Sequence, residues 1–247
     1  MMRNKYSQML KDLKSFNVEL SDKQLEQFDK YYELLIKWNE VMNLTAITDF
    51  DDVCKLHFVD SISAVQYFDF SDKEYSLIDI GTGAGFPGIP LKIVFPNLHI
   101  TLFDSLNKRL KFLDEVIDTL GLNESGSIVT LHGRAEDYSS SKSKDSLRES
   151  FDLVVSRAVA NMSTLCEYCL PYVKVGGNFI AYKSEKASDE LQKAKGAIHL
   201  LGGKLISSDE FLLPNTDINR TICIVNKIEP TSKKYPRKAG VPSKEPL

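Results

Sequence analysis

The 247-residue sequence predicts an α/β fold in which an N-terminal helical subdomain packs on a mainly parallel sheet. From Tyr75 onwards, short apolar runs typical of strands alternate with longer runs of helical period. The first of these strands ends on an acid and enters a glycine-rich turn, within residues 76–88. Residues 1–70, by contrast, show the helical period alone, which separates the helical subdomain from the sheet.

The helical subdomain is predicted from one strong amphipathic pattern. Ser21 and Gln24 have the spacing of a capping box, which marks a helix start. Apolar residues then recur at intervals of three and four, as expected for one buried helix face: Leu25, Phe28, Tyr31, Tyr32, Leu35 and Trp38. The period breaks over 39–48 and resumes over 51–67. We therefore expect two main helical stretches before the sheet begins.

A core domain over 71–229 follows from the alternation of strands and helices. The predicted strands are 76–80, 99–103, 128–131, 151–156 and 178–183, and the predicted helices are 87–94, 106–120, 161–173 and 186–201. Residues 202–206 and 220–227 then predict a closing antiparallel hairpin around Pro214 and Asn215. Five strands and a hairpin make a seven-stranded Rossmann-like sheet.

The glycine-rich turn predicts a cradle for a nucleotide-like cofactor. Gly81, Gly83 and Gly85 stand at alternate positions directly after the first strand. A chain that leaves a strand, turns sharply and starts a helix needs glycine for positive φ and for close approach of backbone to a ligand. The spacing differs from the G-x-G-x-x-G dinucleotide fingerprint and is closer to motif I of class I S-adenosylmethionine-dependent methyltransferases. An ordinary glycine-rich turn is the simpler alternative.

Asp104 is the second candidate for cofactor binding. It ends the second predicted strand, about 20 residues beyond the glycines, where an acid can accept hydrogen bonds from ribose hydroxyls. Its charge would also disfavour a 2′-phosphate. The alternative is a surface acid that caps the helix starting near Leu106.

Charge is distributed unevenly along the chain. The formal net charge is −3, yet residues 231–247 hold five basic residues against one acid, a side-chain balance of +4. Four prolines over 230–247 disfavour helix and central strand, so these residues are predicted to form an extended basic arm that binds RNA phosphates. A disordered solubilising tail is the alternative. The candidate RNA-binding residues of the basic arm are Lys233, Lys234, Arg237 and Lys238.

The four cysteines predict neither a metal site nor a redox site. Cys166 and Cys169 form a C-x-x-C pair, but it lies inside an apolar helical run and no second ligand pair accompanies it. We expect buried thiols of a cytoplasmic protein. No signal peptide and no membrane span are predicted.

Several motifs together resemble one family. They are Trp38-Asn39-x3-Asn43-Leu44-Thr45, His57-x2-Asp60-Ser61, the glycine loop running into Phe86-Pro87-Gly88, Asp104-Ser105-x2-Lys108-Arg109-x2-Phe112-Leu113, Arg134-Ala135-Glu136, Ser156-Arg157-Ala158 and Lys234-Tyr235-Pro236-Arg237. The sequence resembles the 16S ribosomal RNA small-subunit methyltransferase G family, also called glucose-inhibited division protein B, over nearly its whole length. The resemblance implies S-adenosyl-L-methionine as cofactor and 16S rRNA of the small ribosomal subunit as partner. It also implies methylation of guanine N7 at nucleotide 527. We expect a monomer.

The resemblance also implies cofactor contacts at Gly81, Gly83, Phe86, Ala135, Glu136 and Arg157. Glu136 follows the third strand at the carboxyl edge of the sheet, where ligands bind, although it could be a stabilising acid of a first helical turn. Arg157 ends the fourth strand and could bind an anion, or merely pair with an acid such as Asp152.

Three further residues are candidates for orienting or binding the RNA. Asn43 and His57 belong to the helical motifs, and His57 could equally be a structural histidine. Lys183 ends the fifth strand, where it could face RNA together with Arg157 or be a solvated edge residue.

Guanine N7 carries a free lone pair, so no proton has to leave before methyl transfer and no general base is obligatory. The sequence agrees with this chemistry. Residues 156–161 lack the Asn/Asp-Pro-Pro-aromatic motif of exocyclic amine methylation, and no cysteine stands where a C5-pyrimidine nucleophile would. Catalysis is then mainly alignment of the reacting atoms.

Two other functions remain open from sequence. An NAD-dependent Rossmann oxidoreductase would share the glycines and Asp104, but should show G-x-G-x-x-G and a Tyr-x-x-x-Lys pair, a spacing that Tyr182-Lys183 does not have. A non-catalytic rRNA-binding assembly factor could keep a vestigial cofactor pocket. Methylation of a protein or a small molecule would leave the basic arm unexplained.

Overall fold

A computed structural model describes residues 2–123, 126–157, 159–184 and 187–247. Its strands are β1 (Ser76–Ile80), β2 (His99–Asp104), β3 (Ile128–His132), β4 (Phe151–Arg157), β5 (Val173–Ser184), β6 (Gly203–Leu212) and β7 (Asn219–Lys227). They form one sheet in the order β3-β2-β1-β4-β5-β7-β6. The first five strands pair in parallel, and β7 is antiparallel to both β5 and β6. The predicted α/β class and the closing hairpin are therefore confirmed.

The helices are α1 (Met2–Lys5), α2 (Ser7–Ser15), α3 (Asp22–Met42), α4 (Phe50–Val53), α5 (Asp60–Ile62), α6 (Gly88–Val94), α7 (Asn107–Leu120), α8 (Ala135–Tyr138), α9 (Met162–Cys169), α10 (Ala187–Leu200) and α11 (Val241–Lys244). A π-helix, Cys54–Val59, joins α4 to α5, and 3-10 helices cover Ser63–Gln66 and Leu170–Tyr172. Within the described ranges, no helix combines the length and the apolar character that crossing a membrane requires.

Helix α3 begins where the capping box predicts. The Ser21 hydroxyl accepts from the Gln24 amide at 3.2 Å, and the Gln24 side chain accepts from the Ser21 amide at 2.8 Å. The helix continues to Met42, beyond the predicted break at 39, and ends on Asn43 in the left-handed conformation, φ +47°. Asparagine tolerates the left-handed conformation better than most residues, and the Asn39 side chain accepts from the Thr45 amide at 2.9 Å, so local contacts end the helix here.

The stretch from Phe50 to Gln66 is helical throughout, and its middle part is a π-helix. Sequence periodicity predicts a regular helix here and does not reveal the wider turn. Around this turn, the carbonyls of Leu56 and His57 accept hydrogen bonds from the Arg157 guanidinium at 3.1 and 3.4 Å. The irregular turn thus receives a side chain from the end of β4.

Two buried clusters cover the two faces of the sheet. One joins the N-terminal helices to the sheet, with Phe28 and Phe58 packed in the same cluster as Leu102. The other lies between the sheet, α9 and α10. Because the helical N-terminus shares its core with the sheet, it adds a layer to the sheet instead of a separate core. All four cysteines are buried and unpaired, as the sequence predicts.

Strand β5 starts at Val173, five residues before the predicted start at 178. It pairs with β4 at Phe151, and the register then shifts before Leu153 pairs with Asn178. A β-bulge of this kind carries the extra residues, Gly176 among them, and has no period-2 signal. Ala158 of the predicted motif and the start of the predicted helix at 186 lie outside the described residues.

The C-terminal residues differ most from expectation. Instead of an extended arm, residues 231–245 form a segment packed on the core, which we call the C-terminal strap; it includes the short helix α11. The Arg148 guanidinium donates to the carbonyls of Thr231, Ser232 and Tyr235. Prolines do stop regular structure here, but the Arg148 side chain satisfies three of the backbone carbonyls that are left free.

Candidate functional site

A buried carboxylate holds the glycine loop against the end of β1. Asp79 Oδ2 accepts hydrogen bonds from the Thr82 hydroxyl at 2.7 Å and from the Gly88 amide at 2.9 Å. Asp79 Oδ1 has no hydrogen-bond partner among the described residues, and burial raises the pKa of this carboxyl to about 6. Asp79 therefore sets the path of the loop from inside the protein.

The three loop glycines face different surroundings. All have positive φ: Gly81 +72°, Gly83 +62° and Gly85 +97°. A Cβ on Gly81 would lie 2.7 Å from Val159 Cγ2, whereas a Cβ on Gly83 would meet no atom closer than 3.9 Å. A Cβ on Gly85 would point into the core, 2.7 Å from the Tyr31 hydroxyl. Of the three, Gly83 presents backbone toward open space, where a ligand can approach it closely.

Asp104 lies directly beside the loop. Its Oδ2 accepts from the Gly83 amide at 3.0 Å and from Arg109 at 3.2 Å, and its Oδ1 accepts from the Leu106 amide at 2.9 Å. The carboxylate is thus held by backbone donors on both sides and is only 2% exposed. No described side chain caps α7 and Asp104 is buried, so Asp104 is not the surface helix cap of the alternative prediction; the ribose contact stays a prediction.

A cavity of 380 Å³, the glycine-loop cavity, opens over the carboxyl ends of β1, β2 and β3. It is lined by Ile80, Gly81, Phe103, Asp104, Ser105, Leu106, Gly133, Arg134, Ala135, Glu136, Val159, Tyr168, Gly240 and Ser243. Four predicted cofactor residues therefore meet here: Gly81, Asp104, Ala135 and Glu136. Apolar walls with carboxylates at the rim suit a nucleoside, whose base is apolar on its faces and whose hydroxyls are donors.

A second cavity of 320 Å³, the arginine cavity, lies over the ends of β4 and β5 and the start of β7. It is lined by Leu56, His57, Asp60, Arg157, Tyr182, Lys183, Ser184, Arg220, Thr221 and Ile222. Predicted site residues His57, Arg157 and Lys183 meet in this cavity. Arg157, predicted to contact the cofactor, therefore lines the arginine cavity and not the glycine-loop cavity.

Asp60 ties the arginine cavity together. It is 4% exposed, and its two oxygens accept from Arg157 and Arg220, each at 3.0 Å. Asp152, the alternative partner proposed for Arg157, lies at the opposite end of β4 and binds Lys174 and Ser76. The predicted alternative, that Arg157 pairs with an acid, is therefore observed, but the acid is Asp60 and not Asp152, because the length of the seven-residue strand separates Arg157 from Asp152. Two guanidiniums and one carboxylate leave this cluster with a positive charge.

His57 is a neutral, fixed imidazole. Its ring stacks on Phe86, with centroids 4.5 Å apart, and Nε2 lies 2.8 Å from the Thr45 hydroxyl. Arg157 lies 3.4 Å from Nδ1 and can only donate, so Nδ1 accepts and the proton sits on Nε2. Burial, reinforced by the charge of Arg157, lowers the pKa of His57 to about 4. Phe86, predicted to contact the cofactor, is buried beneath this imidazole.

Lys183 and Asn43 have contrasting positions. The Lys183 ammonium is 2.6 Å from Glu190 and donates to the Ala160 carbonyl at 3.0 Å. It is only 11% exposed, so it is not a solvated edge residue. Asn43 lies exposed at the end of α3, where it reverses the chain, and it lines neither cavity.

The basic candidates of the strap divide into two groups. Lys233, Lys234 and Lys238 are exposed, as a phosphate-binding role requires. Arg237 is instead engaged by Glu167, which is fully buried on α9, with Nη2 to Oε2 at 2.6 Å. Its guanidinium is therefore occupied by the protein itself.

Sequence reasoning gave no role to several residues that build the two cavities. Asp60 and Arg220 lie 160 residues apart and meet only in the folded chain. Gly240 and Ser243 of the strap line the glycine-loop cavity. The one sequence signal for Asp60 was its position three residues after His57, a spacing that places both residues on the same side of a helix.

Comparison with known proteins gives a consistent family. Residues 24–219 match the model of a family described as rRNA small subunit methyltransferase G. A ribosomal RNA small subunit methyltransferase G of Exiguobacterium sp. is 52% identical over 241 residues, which cover 98% of each chain. The protein of the same name from Lactobacillus johnsonii is 52% identical over 238 residues, covering 96% of this chain and 97% of its own.

Among solved structures, the fold is similar to that of a variant of MtNAS crystallised in complex with S-adenosylmethionine. The two share a TM-score of 0.53 at 16% identity, over 84% of this chain and 72% of that one. At this identity, the similarity establishes the fold, which is that of the class I methyltransferases.

Proposed function

This chain belongs to the rRNA small subunit methyltransferase G family, and we propose that it transfers a methyl group from S-adenosyl-L-methionine to N7 of the guanine at nucleotide 527 of 16S rRNA. The observation that carries the proposal is the presence of two cavities at the carboxyl edge of the sheet. The glycine-loop cavity suits a nucleoside, as a site for the methyl donor should. The arginine cavity is positively charged, as a site for RNA should be.

The glycine-loop cavity fits the methyl donor. S-adenosylmethionine supplies a methyl group activated by a sulfonium centre. Gly81 lines the cavity; Gly83 does not, but its amide donates to Asp104 of the cavity wall. No described side chain lies close to where a Cβ on Gly83 would stand, so a ligand can approach the backbone there. Asp104 and Glu136 offer acceptors to ribose hydroxyls or an amino group, while Ile80, Phe103 and Leu106 provide apolar walls; Phe103 and Ile80 are buried. The carboxylate of Asp104 also opposes a 2′-phosphate, which disfavours a phosphorylated dinucleotide.

The arginine cavity fits a reaction that needs no general base. The Nδ1 lone pair of His57 accepts from Arg157, and the lowered pKa of His57 makes the imidazole a weak base at neutral pH. Asp60 is held between Arg157 and Arg220. The Tyr182 hydroxyl donates to the Ser61 carbonyl at 2.8 Å, and burial raises its pKa further. These groups can position a guanine and its phosphate, and N7 reacts with its own lone pair.

Arg157 and Lys183 are proposed to orient the target nucleotide, and the exposed side chains Asn43, Lys233, Lys234 and Lys238 to hold neighbouring rRNA. Phosphate contacts of this kind fix register and carry no sequence information. Selection of one guanine then falls to the shape of the arginine cavity and to the fold of the RNA around it.

Methyl transfer to small ribosomal subunits from a strain that lacks this activity tests the proposal. Subunits are incubated with the protein and methyl-labelled S-adenosylmethionine, and the rRNA is then treated with borohydride and aniline, which cleaves at N7-methylguanine. We expect a single new reverse-transcription stop at nucleotide 527.

Label at another base would overturn the site assignment, and label that resists borohydride and aniline would overturn N7 as the acceptor atom. Binding of rRNA without label transfer would favour the non-catalytic assembly factor. Parallel calorimetric titrations with NAD and with S-adenosylmethionine distinguish a methyltransferase from an NAD-dependent oxidoreductase. Only NAD should bind to an oxidoreductase.

A further inference from the structure

The C-terminal strap is fixed to the core by a buried ion pair. Glu167 on α9 is fully buried, and it receives the Arg237 side chain on both oxygens as well as the Arg237 backbone amide at 2.7 Å. A carboxylate with this many charged and backbone donors is fully compensated for its burial. The pair therefore sets where residue 237 lies, and with it the register of the residues that follow.

Beyond Arg237, the strap reaches the glycine-loop cavity. The Gly240 amide donates to Glu136 Oε1 at 2.9 Å, and Gly240 and Ser243 both line the cavity. From behind the strap, the hydroxyl of Thr164 donates to the Pro242 carbonyl at 2.9 Å. Thr164 is buried on α9 and does not line the cavity.

Glu136 therefore contacts the strap and also lines the cavity. It lies in the first turn of α8 and is 8% exposed, and it belongs to the cavity wall. Its hydrogen bond from Gly240 fixes the orientation of the carboxylate at that wall. A ligand that uses this carboxylate meets an acceptor already positioned, so less ordering is needed on binding.

We propose that residues 239–243 of the strap complete the methyl-donor site, both as one of its walls and by orienting Glu136 for the adenosyl group. The proposal rests on the proposed function for the identity of the donor. It assigns the C-terminus a role inside the enzyme that is separate from any contact with RNA, because its exposed lysines and its cavity-lining residues are different residues.

The first test is calorimetric titration of S-adenosylmethionine into the full chain and into a chain ending at Lys238. The shortened chain keeps the Arg237–Glu167 pair but loses the wall. We expect the Kd to rise at least about tenfold, equivalent to about 1.4 kcal/mol of binding free energy. Equal affinity of the two chains would overturn the proposal. A full chain that does not bind the donor would instead overturn the proposed function.

The second test needs no truncation, and it decides the matter if the shortened chain fails to fold. Thr164→Val removes the hydroxyl that holds Pro242 and keeps the side-chain volume, whereas Thr164→Ser keeps the hydroxyl and removes a methyl group. We expect a Kd several-fold higher for Thr164→Val and an unchanged Kd for Thr164→Ser. The same Kd for both variants would contradict the proposal, since then only the packing of α9 would matter.

Discussion

The two cavities at the edge of the sheet are built in different ways. The glycine loop at one side of the glycine-loop cavity depends on backbone conformation within one short stretch, where Gly81 and Gly83 have positive φ and Asp79 and Asp104 fix the loop. The arginine cavity depends on side-chain charges from three distant parts of the chain, joined at Asp60. The glycine loop is a property of a local motif, whereas the arginine cavity exists only when the helices and the sheet have come together.

Breaking the charge network should have the largest effect. Asp60→Asn leaves Arg157 and Arg220 side by side without their shared carboxylate, and an uncompensated buried charge is costly. We expect the free energy of unfolding in urea to fall by about 3 kcal/mol. The matched control is Asp22→Asn, which removes an exposed ion pair with Arg3 and should change stability by less than about 0.5 kcal/mol. Similar values for the two variants would mean that Asp60 does not hold the cavity.

The half-buried His57 gives a second test of the comparison, through the pH dependence of stability. The pKa of His57 is about 4 in the folded protein and about 6.5 when unfolded, so the unfolded chain binds the extra proton first. The stability that its neutral form contributes is present above pH 6.5 and is lost as the pH falls toward 4. The Asp79 carboxyl acts in the opposite direction, because its raised pKa makes the folded chain bind a proton between about pH 6 and pH 4.

Measuring wild type against His57→Gln cancels the Asp79 contribution. Between pH 7 and pH 5, we expect the wild type to lose about 1–2 kcal/mol more unfolding free energy than the variant. Parallel stability curves would show that His57 is not held neutral by burial. Over pH 6 to pH 8, the single-turnover rate of methyl transfer should stay flat, since no group in the cavity has to give up a proton.

Gly83→Ala tests the backbone-built cavity. Gly83 and Gly121 have the same φ, +62°, and neither has a close neighbour where a Cβ would stand. Alanine at either position should therefore cost about 1 kcal/mol of stability through backbone strain alone. Only Gly83→Ala should weaken the binding of S-adenosylmethionine in a calorimetric titration, because the Gly83 amide is bound to Asp104 of the cavity wall, whereas Gly121 caps α7 away from the cavity. If both variants bound the donor as tightly as wild type, Gly83 would not be part of the donor site.

The smallest effect is expected at the strap lysines. Lys233→Ala with Lys234→Ala should weaken rRNA binding modestly and reduce the slope of log affinity against log salt by about 2. Filter binding over a range of salt concentrations measures this slope. Donor affinity should not change, because neither lysine lines the glycine-loop cavity. An unchanged slope would remove these two lysines from the RNA contact surface.

Much of the fold was accessible from sequence because local signals agreed with one another. Strand β1 was predicted at its observed bounds, and α3 starts at its capping box. The periods of two and 3.6 residues and the turn chemistry are properties of neighbouring residues, so a sequence displays them directly. The bulge in β5 and the π-helical turn have no such local signal, because each depends on contacts with a distant part of the fold: the bulge with β4, and the turn with Arg157.

Within the site, the sequence by itself determined the glycine loop, the position of Asp104 after the second strand and the family of motifs that contains His57 and Arg157. Tertiary structure alone decided which cavity each residue lines, that Arg220 reaches Asp60 and that Arg237 is bound by Glu167. The physical reason is that backbone conformation is set by adjacent residues, whereas the partner of a buried charge is whatever group the fold brings within hydrogen-bond distance.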